Sequence, residues 1–200
     1  MTSSIKSIMN ENVLDKTVLV RADLNIPMSN GNISDQSRVE RVIPTINFLK
    51  SSGAKIVICS HLGRPNGKYN KNYTLKPLVE ILSNILETNV RFSNSCLGQE
   101  ALEIKTSLKA GEILLLENVR FHEEEINNSL SFAKKLSEGC DLFVNDAFSC
   151  SHRAHSSLHA ITNFLPSYSG KLMDEEIKAL TSVLSSPIKP VAALVGGAKI

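Results

Sequence analysis

The 200-residue sequence is poor in several features that would point to common functions. It contains no tryptophan, and aromatic residues make up only 5% of the chain. A surface that binds single-stranded nucleic acid by stacking bases on aromatic rings is difficult to build from so few rings. Lys and Arg number 22 against 20 for Asp and Glu, so the chain also lacks the basic excess of a nucleic-acid-binding arm.

Cysteine pairs and long apolar runs are missing as well. The four cysteines form no CxxC pair, and residues 1–10 contain no apolar stretch of the kind found in signal peptides. No apolar run approaches the ~20 residues that a membrane-spanning helix needs. We therefore expect reduced, mostly buried thiols in a soluble cytoplasmic protein.

Several familiar catalytic and metal motifs are absent or incomplete. There is no GxGxxG or GxSxG, and Gly63–Lys68 is one residue short of a P-loop. Cys150, His152 and His155 could ligate zinc, but no fourth ligand follows at an obvious spacing. We predict no metal site, and we interpret Glu123–Glu125 as a solvated helix entry and His159 as a residue on a helix face.

Short apolar runs alternate with segments of helical periodicity. Runs that are apolar throughout are typical of strands buried on both faces, as in a parallel sheet. The predicted strands are Val18–Val20, Lys55–Cys59, Ile113–Leu116 and Leu142–Val144. This order predicts an α/β fold, with three layers in which helices cover both faces of a parallel sheet.

Three apolar stripes predict the helices between these strands. One runs from Val39 to Leu49, with Pro44 in the first turn or at a kink. Another runs from Leu75 to Leu86, with Thr74 as its N-cap. The third runs from Leu130 to Leu136.

The last part of the chain predicts the beginning of a second domain. A helix from Asp174 to Ser185, capped by Asp174, is followed by a break at Pro187. Val191–Val195 then resembles a buried strand, and Gly196-Gly197 a turn that leads into a helix. We expect a domain over 1–173, a connecting helix over 174–186, and the start of a truncated domain over 187–200.

Arginines follow three of the predicted strands at the edge where ligands bind in parallel sheets. Arg64, Arg120 and Arg153 come after separate strands, and Arg38 begins a helix. A guanidinium binds phosphate or carboxylate with two parallel hydrogen bonds and keeps its charge. With Asp23 and Asn25 to contact hydroxyls, these residues indicate a ligand that carries phosphate, carboxylate and hydroxyl groups. Separate surface arginines or structural ion pairs are the alternative interpretation.

The same segments resemble motifs of the phosphoglycerate kinase family, in the same order along almost the whole chain. The matching segments are Arg21–Pro27, Ser60–Pro65, Leu114–His122, Val144–Phe148, His152–Ser156 and Gly196–Lys199. The resemblance implies a Rossmann-like domain that binds 3-phosphoglycerate, facing a nucleotide-binding domain. It also implies a phosphotransferase that uses a carboxyl group as acceptor, converting 1,3-bisphosphoglycerate and ADP reversibly to 3-phosphoglycerate and ATP.

The resemblance also implies roles for individual residues. Arg38 and Lys199 correspond to catalytic cations beside the transferred phosphoryl group, with Lys199 on the nucleotide side and His152 at the edge of the substrate site. Mg²⁺ is expected with ATP or ADP, bound mainly by the other domain of a monomeric enzyme. The residues implied to bind the glycerate are Asp23, Asn25, Arg38, His61, Leu62, Gly63, Arg64, Arg120 and Arg153.

Four residues depart from the family pattern, and none is expected to contact ligand: Ala22, Ser149, Cys150 and Ser151. Two other functional classes stay open at this point. One is a non-catalytic binding module for phosphorylated acids. The other is an RNA-binding domain, although the low aromatic content and balanced charge argue against it.

Overall fold

A parallel β-sheet forms the centre of the computed structural model, which describes residues 5–26, 28–29, 32–33, 35–185, 187 and 190–192. The strands are β1 (Thr17–Ala22), β2 (Met28–Ser29), β3 (Asn32–Ile33), β4 (Lys55–Cys59), β5 (Val90–Ser93), β6 (Ile113–Leu116), β7 (Leu142–Asp146) and β8 (Ser167–Ser169). Six of them pair in the order β5-β6-β4-β1-β7-β8, and every pairing in this sheet is parallel. The short strands β2 and β3 form a separate antiparallel hairpin.

The helices connect the strands and cover both faces of the sheet. They are α1 (Ser37–Ser51), α2 (Leu78–Leu86), α3 (Gly98–Ser107), α4 (Glu123–Ile126), α5 (Leu130–Ser137) and α6 (Lys171–Ser185). Successive strand residues point to opposite faces. Val18 and Val20 of β1 pack in the core that includes α1 and α2, whereas Leu19 packs in the core that includes α3 and α5. The predicted three-layer α/β fold is confirmed.

The four predicted strands and the three predicted helices are present, but two helix starts differ. Pro44 lies in the middle of α1 on an exposed face, not in its first turn. The carbonyl that loses its partner there can be hydrated. Helix α2 starts at Leu78, so Thr74 does not cap it. Thr74 instead accepts a hydrogen bond from the N–H of Lys76 in a local turn.

Helix α6 starts at Lys171, three residues earlier than predicted, and Asp174 is not its cap. The first turn is held from outside the helix. Asp146, at the end of β7, accepts a hydrogen bond from the N–H of Met173 at 3.1 Å. Thr45 in α1 accepts one from the N–H of Lys171 at 2.9 Å. Partners from two other elements therefore satisfy N–H groups that a helix start leaves free.

The helix ends at Ser185 as predicted, but most of the predicted strand Val191–Val195 lies outside the described residues, as do Gly196, Gly197 and Lys199. The division into segments 1–173, 174–186 and 187–200 stays a prediction. The prediction for the thiols is confirmed, because all four cysteines are free and Cys59, Cys96 and Cys150 are buried. No helix in the described part of the chain is both long and apolar enough to span a bilayer.

Candidate anion-binding site

A cavity of about 270 Å³ lies where β6, β4, β1 and β7 end. These four strands are consecutive in the sheet, and the loops that follow them meet because all four strands point the same way. The residues that line the cavity are Asp23, Asn25, Arg38, His61, Gly63, Arg64, Arg120, Ser149, Cys150 and Arg153. Eight of the nine residues predicted to bind the glycerate are in this set, and their binding roles stay predictions.

Two other predicted residues do not line the cavity, and a third is not among the described residues. Leu62 is 3% exposed and belongs to the hydrophobic core between the sheet and α1. Its side chain therefore packs rather than lines the cavity. His152 is exposed and is not among the residues that line this cavity. Lys199 lies outside the described residues.

Two polar side chains tie the loop after β1 to the loop after β4. Ser60 accepts a hydrogen bond from the N–H of Leu24 at 2.9 Å and donates to the carbonyl oxygen of Ala22 at 2.8 Å. The side-chain oxygen of Asn25 accepts a hydrogen bond from the N–H of Gly63 at 2.8 Å. Asn25 therefore has a structural task at the cavity besides any contact with a ligand.

Gly63 occupies a position where any side chain would be strained. Its φ is +63°, in the left-handed region, and a Cβ atom there would overlap the ring of Tyr73. The carbonyl oxygen of Gly63 accepts a hydrogen bond from NH1 of Arg120 at 2.9 Å. The glycine thus lets the loop backbone approach close enough to orient a guanidinium.

Arg120 is buried at the bottom of the cavity and is only 7% exposed. Its Nε atom has no hydrogen-bond partner among the described residues, and a buried donor without a partner is unfavourable. The preceding Glu117 and Asn118 hold its loop, with Glu117 accepting from the N–H of Leu75 and Asn118 donating to the carbonyl oxygens of Leu62 and Tyr73. Because Nε is shielded from solvent, a ligand in the cavity would meet the terminal nitrogens of this guanidinium instead.

Asp23 connects three segments of the chain that line the cavity. Its Oδ2 atom accepts from NH1 of Arg38 at 2.6 Å and from Oγ of Ser149 at 2.5 Å. The side chain of Arg38 is 45% exposed, so this ion pair contributes little to stability and can be exchanged for a ligand. Ser149 and Cys150 both line the cavity, and the expectation that they do not contact the ligand stays a prediction.

The cavity is electrostatically suited to an anion. None of the described carboxylates lies within ion-pair distance of Arg64, Arg120 or Arg153. Burial, followed by the charge of Arg21, lowers the pKa of His61 well below its usual value, so the imidazole is neutral. The cavity therefore has more positive than negative charge, concentrated in groups that hydrogen-bond phosphate and carboxylate well.

Cys150, His152 and His155, which were weighed as zinc ligands and not favoured, do not form a group of potential ligands among the described residues. Cys150 lies with Asp23 and His61, and one potential ligand atom from each is within 4.8 Å of the others. Arg38, Arg64, Arg120 and Arg153 line the same cavity. A divalent cation would be repelled by these four guanidinium groups, so the site favours an anion over a metal.

The interpretation of Glu123–Glu125 as solvated was wrong for Glu125. Its side chain is fully buried, and it accepts hydrogen bonds from the N–H and the hydroxyl of Ser157 at 2.8 and 2.6 Å. Burial raises the pKa of Glu125. His155 Nδ1 lies 3.9 Å from the carboxylate, but burial lowers the pKa of His155 to about 4, so the two form no ion pair at neutral pH.

His159 directly precedes a 3-10 helix (Ala160–Asn163) as its N-cap. It is exposed there and contacts Asn128, so it lies at a helix start and not on a helix face.

Comparison with known proteins gives one consistent result. The family model for phosphoglycerate kinase matches residues 8–200. Curated phosphoglycerate kinases from Borrelia garinii subsp. bavariensis and Leptospira biflexa serovar Patoc are 47% and 45% identical, over 98% and 95% of this chain. The chain covers 50% and 48% of those proteins.

A structural match agrees with the sequence matches. The crystal structure of phosphoglycerate kinase from Pyrococcus horikoshii superimposes with a TM-score of 0.85 at 37% identity, covering 93% of this chain and 47% of that one. The chain thus spans about half the length of the relatives it matches. A match of the family model over nearly all residues shows that the chain belongs to the phosphoglycerate kinase family.

Proposed function

We propose that this chain supplies the 3-phosphoglycerate site of a phosphoglycerate kinase. Such an enzyme transfers a phosphoryl group reversibly between 1,3-bisphosphoglycerate and ADP, giving 3-phosphoglycerate and ATP. The observation that carries the proposal is the cavity where four consecutive strands end, lined by four arginines and by Asp23 and Asn25. Arginines suit the phosphate and carboxylate of this ligand, and Asp23 and Asn25 suit its hydroxyl group.

The reaction needs alignment and charge neutralisation more than proton transfer. A carboxylic acid has a pKa well below 7, so the attacking carboxylate needs no general base. Arg38 is exposed and bound only to Asp23 among the described residues. We assign it to neutralise charge on the phosphoryl group, where it acts most strongly in the transition state. Arg64, Arg120 and Arg153 hold the substrate.

Mg²⁺ does not fit this cavity, because its one carboxylate, Asp23, is bound to Arg38 and four guanidinium groups line it. We propose that the metal–nucleotide complex binds outside the described residues, with Lys199 as a nucleotide-side cation. A cytoplasmic location and a monomeric state are further parts of the proposal. Exclusion of water around the bound substrates would protect the acyl phosphate from hydrolysis.

Titration calorimetry of the complete protein tests the substrate assignment. 3-Phosphoglycerate should bind, and glycerate, which lacks the phosphate, should bind at least about tenfold more weakly, because it loses charge-assisted hydrogen bonds. A phosphoryl-transfer assay with ATP then separates a kinase from a non-catalytic binding module. Absence of heat with 3-phosphoglycerate, or tighter binding of a single-stranded RNA, would overturn the proposal.

A further inference from the structure

Arg21 lies below the cavity and is completely buried, although its strand is otherwise composed mainly of apolar residues. It does not line the cavity itself. Its guanidinium donates from Nε to Oγ of Ser157 at 2.9 Å and from NH1 to the carbonyl oxygen of Ala22 at 2.5 Å. Its NH2 lies 3.0 Å from Nδ1 of His61, which does line the cavity. Apart from the attraction of its charge, any effect of Arg21 on a ligand therefore passes through a neighbour.

The contact between Arg21 and His61 decides which nitrogen of the imidazole ring carries the proton. A guanidinium has five N–H donors, no acceptor, and a charge that it keeps at any pH relevant to proteins. Nδ1 must then be the acceptor. In a neutral imidazole the single proton is left on Nε2.

The Nε2 edge of His61 is the part of the ring that remains for the cavity. Nδ1 is occupied by Arg21, and a ring nitrogen of His61 lies within 4.8 Å of both the Asp23 carboxylate and the Cys150 sulfur. Asp23 and Cys150 both line the cavity. An Nε2–H group attracts an anion, whereas the opposite tautomer would present a lone pair and repel it.

We propose that Arg21 is a positioning residue that fixes His61 in the Nε2–H tautomer and so makes this N–H a permanent hydrogen-bond donor to the bound anion. Naming that anion as 3-phosphoglycerate rests on the proposed function. The tautomer itself follows from Arg21 and His61 alone. The same proton explains further why the Asp23, His61 and Cys150 group is a poor metal site, because Nε2 has no free lone pair.

A buried carboxylate on the far side holds Arg21 in place. Since Oγ of Ser157 accepts from Nε of Arg21, its own hydrogen is directed to Oε1 of Glu125, 2.6 Å away. The backbone N–H of Ser157 donates to the other carboxylate oxygen at 2.8 Å. The charges of Arg21 and Glu125 thus compensate each other through one hydroxyl group, as buried charges require. This arrangement orients the guanidinium toward His61 without help from a ligand.

Nitrogen-15 NMR of the complete protein, labelled at histidine, tests the tautomer directly. The His61 signals are assigned by their loss in His61→Gln. We expect Nε2 to show a protonated, pyrrole-like shift and Nδ1 an unprotonated, pyridine-like shift, both without any ligand. Protonated Nδ1 in the parent protein, or a rapid mixture of both tautomers, would overturn the inference. Binding of 3-phosphoglycerate, measured separately, decides the proposed function, so the two can fail independently.

Arg21→Lys tests whether the guanidinium sets the tautomer. The substitution keeps the charge but removes the planar arrangement of the three donor nitrogens. We expect His61 to populate both tautomers and the affinity for 3-phosphoglycerate to fall about tenfold, with kcat changing less than KM. Arg91→Lys, on the edge strand β5, is the matched control and should leave both unchanged. An unchanged His61 spectrum in folded Arg21→Lys would overturn the role of Arg21; if that variant does not fold, the parent spectrum decides.

Discussion

The floor and the rim of the cavity differ in how far their groups are fixed before a ligand arrives. The floor, defined here as His61, Cys150 and Arg120, is 3%, 6% and 7% exposed, respectively. The rim, defined as Arg38, Arg64 and Arg153, is exposed to solvent. His61 and Arg120 are held by Arg21 and by the carbonyl oxygen of Gly63, whereas none of the described carboxylates pairs with Arg64 or Arg153.

This difference separates affinity from catalysis. Groups of the floor lost their hydration when the protein folded. A ligand that completes their hydrogen bonds therefore gains nearly the full interaction energy, because little further water has to be removed from these groups. Rim groups must give up water and side-chain freedom when they bind. They can, however, change partners during a reaction, and only an interaction that strengthens in the transition state accelerates it.

The largest expected effect is on turnover, from the rim. In the complete enzyme, Arg38→Ala should lower kcat about 10²- to 10³-fold, the usual loss when one charge-stabilising donor is removed. KM for 3-phosphoglycerate should change only a few-fold. Steady-state kinetics measure both constants. Arg41→Ala is the control, because Arg41 is a neighbouring exposed arginine that is paired with Glu176. A change confined to KM would make Arg38 a ground-state binding residue instead.

The next effect is on affinity, from the floor. Arg120→Ala removes a buried guanidinium that lines the cavity, and we expect 3-phosphoglycerate to bind about 100-fold more weakly. Arg153→Ala on the rim should cost about tenfold at most, because its interaction is screened by water and salt. Titration calorimetry measures both. Equal losses of affinity, or a larger loss for Arg153→Ala, would show that burial does not decide which of these arginines contributes more to binding.

A third prediction extends the comparison of buried and exposed groups to stability, with the buried carboxyl group of Asp146. Burial raises its pKa from 3.8 to about 6 in the folded protein. Between these pH values the unfolded chain has lost the proton that the folded chain keeps, so stability falls as pH rises through this window and is then constant. The part of the free energy of unfolding that depends on the titration of Asp146 amounts to up to about 3 kcal/mol.

Urea unfolding of the complete protein at pH 4, 5, 6 and 7 measures this component. Asp146→Asn should remove it from the pH dependence, whatever its effect on stability at pH 7. Glu103→Gln, an exposed carboxyl on α3, should leave the pH dependence as in the parent. Identical slopes for the parent and Asp146→Asn would mean that folding does not shift the pKa of Asp146.

The smallest effect concerns Ser149, which shares Oδ2 of Asp23 with Arg38. Ser149→Ala removes one exposed hydrogen bond, and we expect less than about a threefold change in affinity for 3-phosphoglycerate. The retained pair with Arg38 should keep Asp23 in place. A tenfold loss would place Ser149 among the groups that hold the ligand.

The centre of the fold was predictable from the sequence, and its edges were not. β1, β4, β6 and β7 are nearly continuous apolar runs because helices cover both of their faces. The edge strands β5 and β8, with the sequences VRFS and SYS, mix polar residues into short stretches that no periodicity distinguishes from loops. Helix α3 was missed because few of its residues are buried, so its apolar stripe is weak.

At the candidate site, the arginines were predictable because they follow strands, and the groups that hold them were not. Glu125 follows two other glutamates and has the pattern of a solvated turn, yet Ser157, 32 residues later, binds it in the interior. Arg21 gave one usable signal, a charge inside an apolar strand. Ser149 and Cys150 gave none, since their place at the cavity depends on how the chain turns after β7.

The attachment of α6 has a mechanical consequence. Its first turn is bound to Asp146 of β7 and to Thr45 of α1, and Ser149 follows only three residues after Asp146. A displacement of the far end of α6 is therefore transmitted through these hydrogen bonds to the turn that borders the cavity. Displacement of that helix would shift Asp146 and, through the same turn, Ser149 and its partner Asp23.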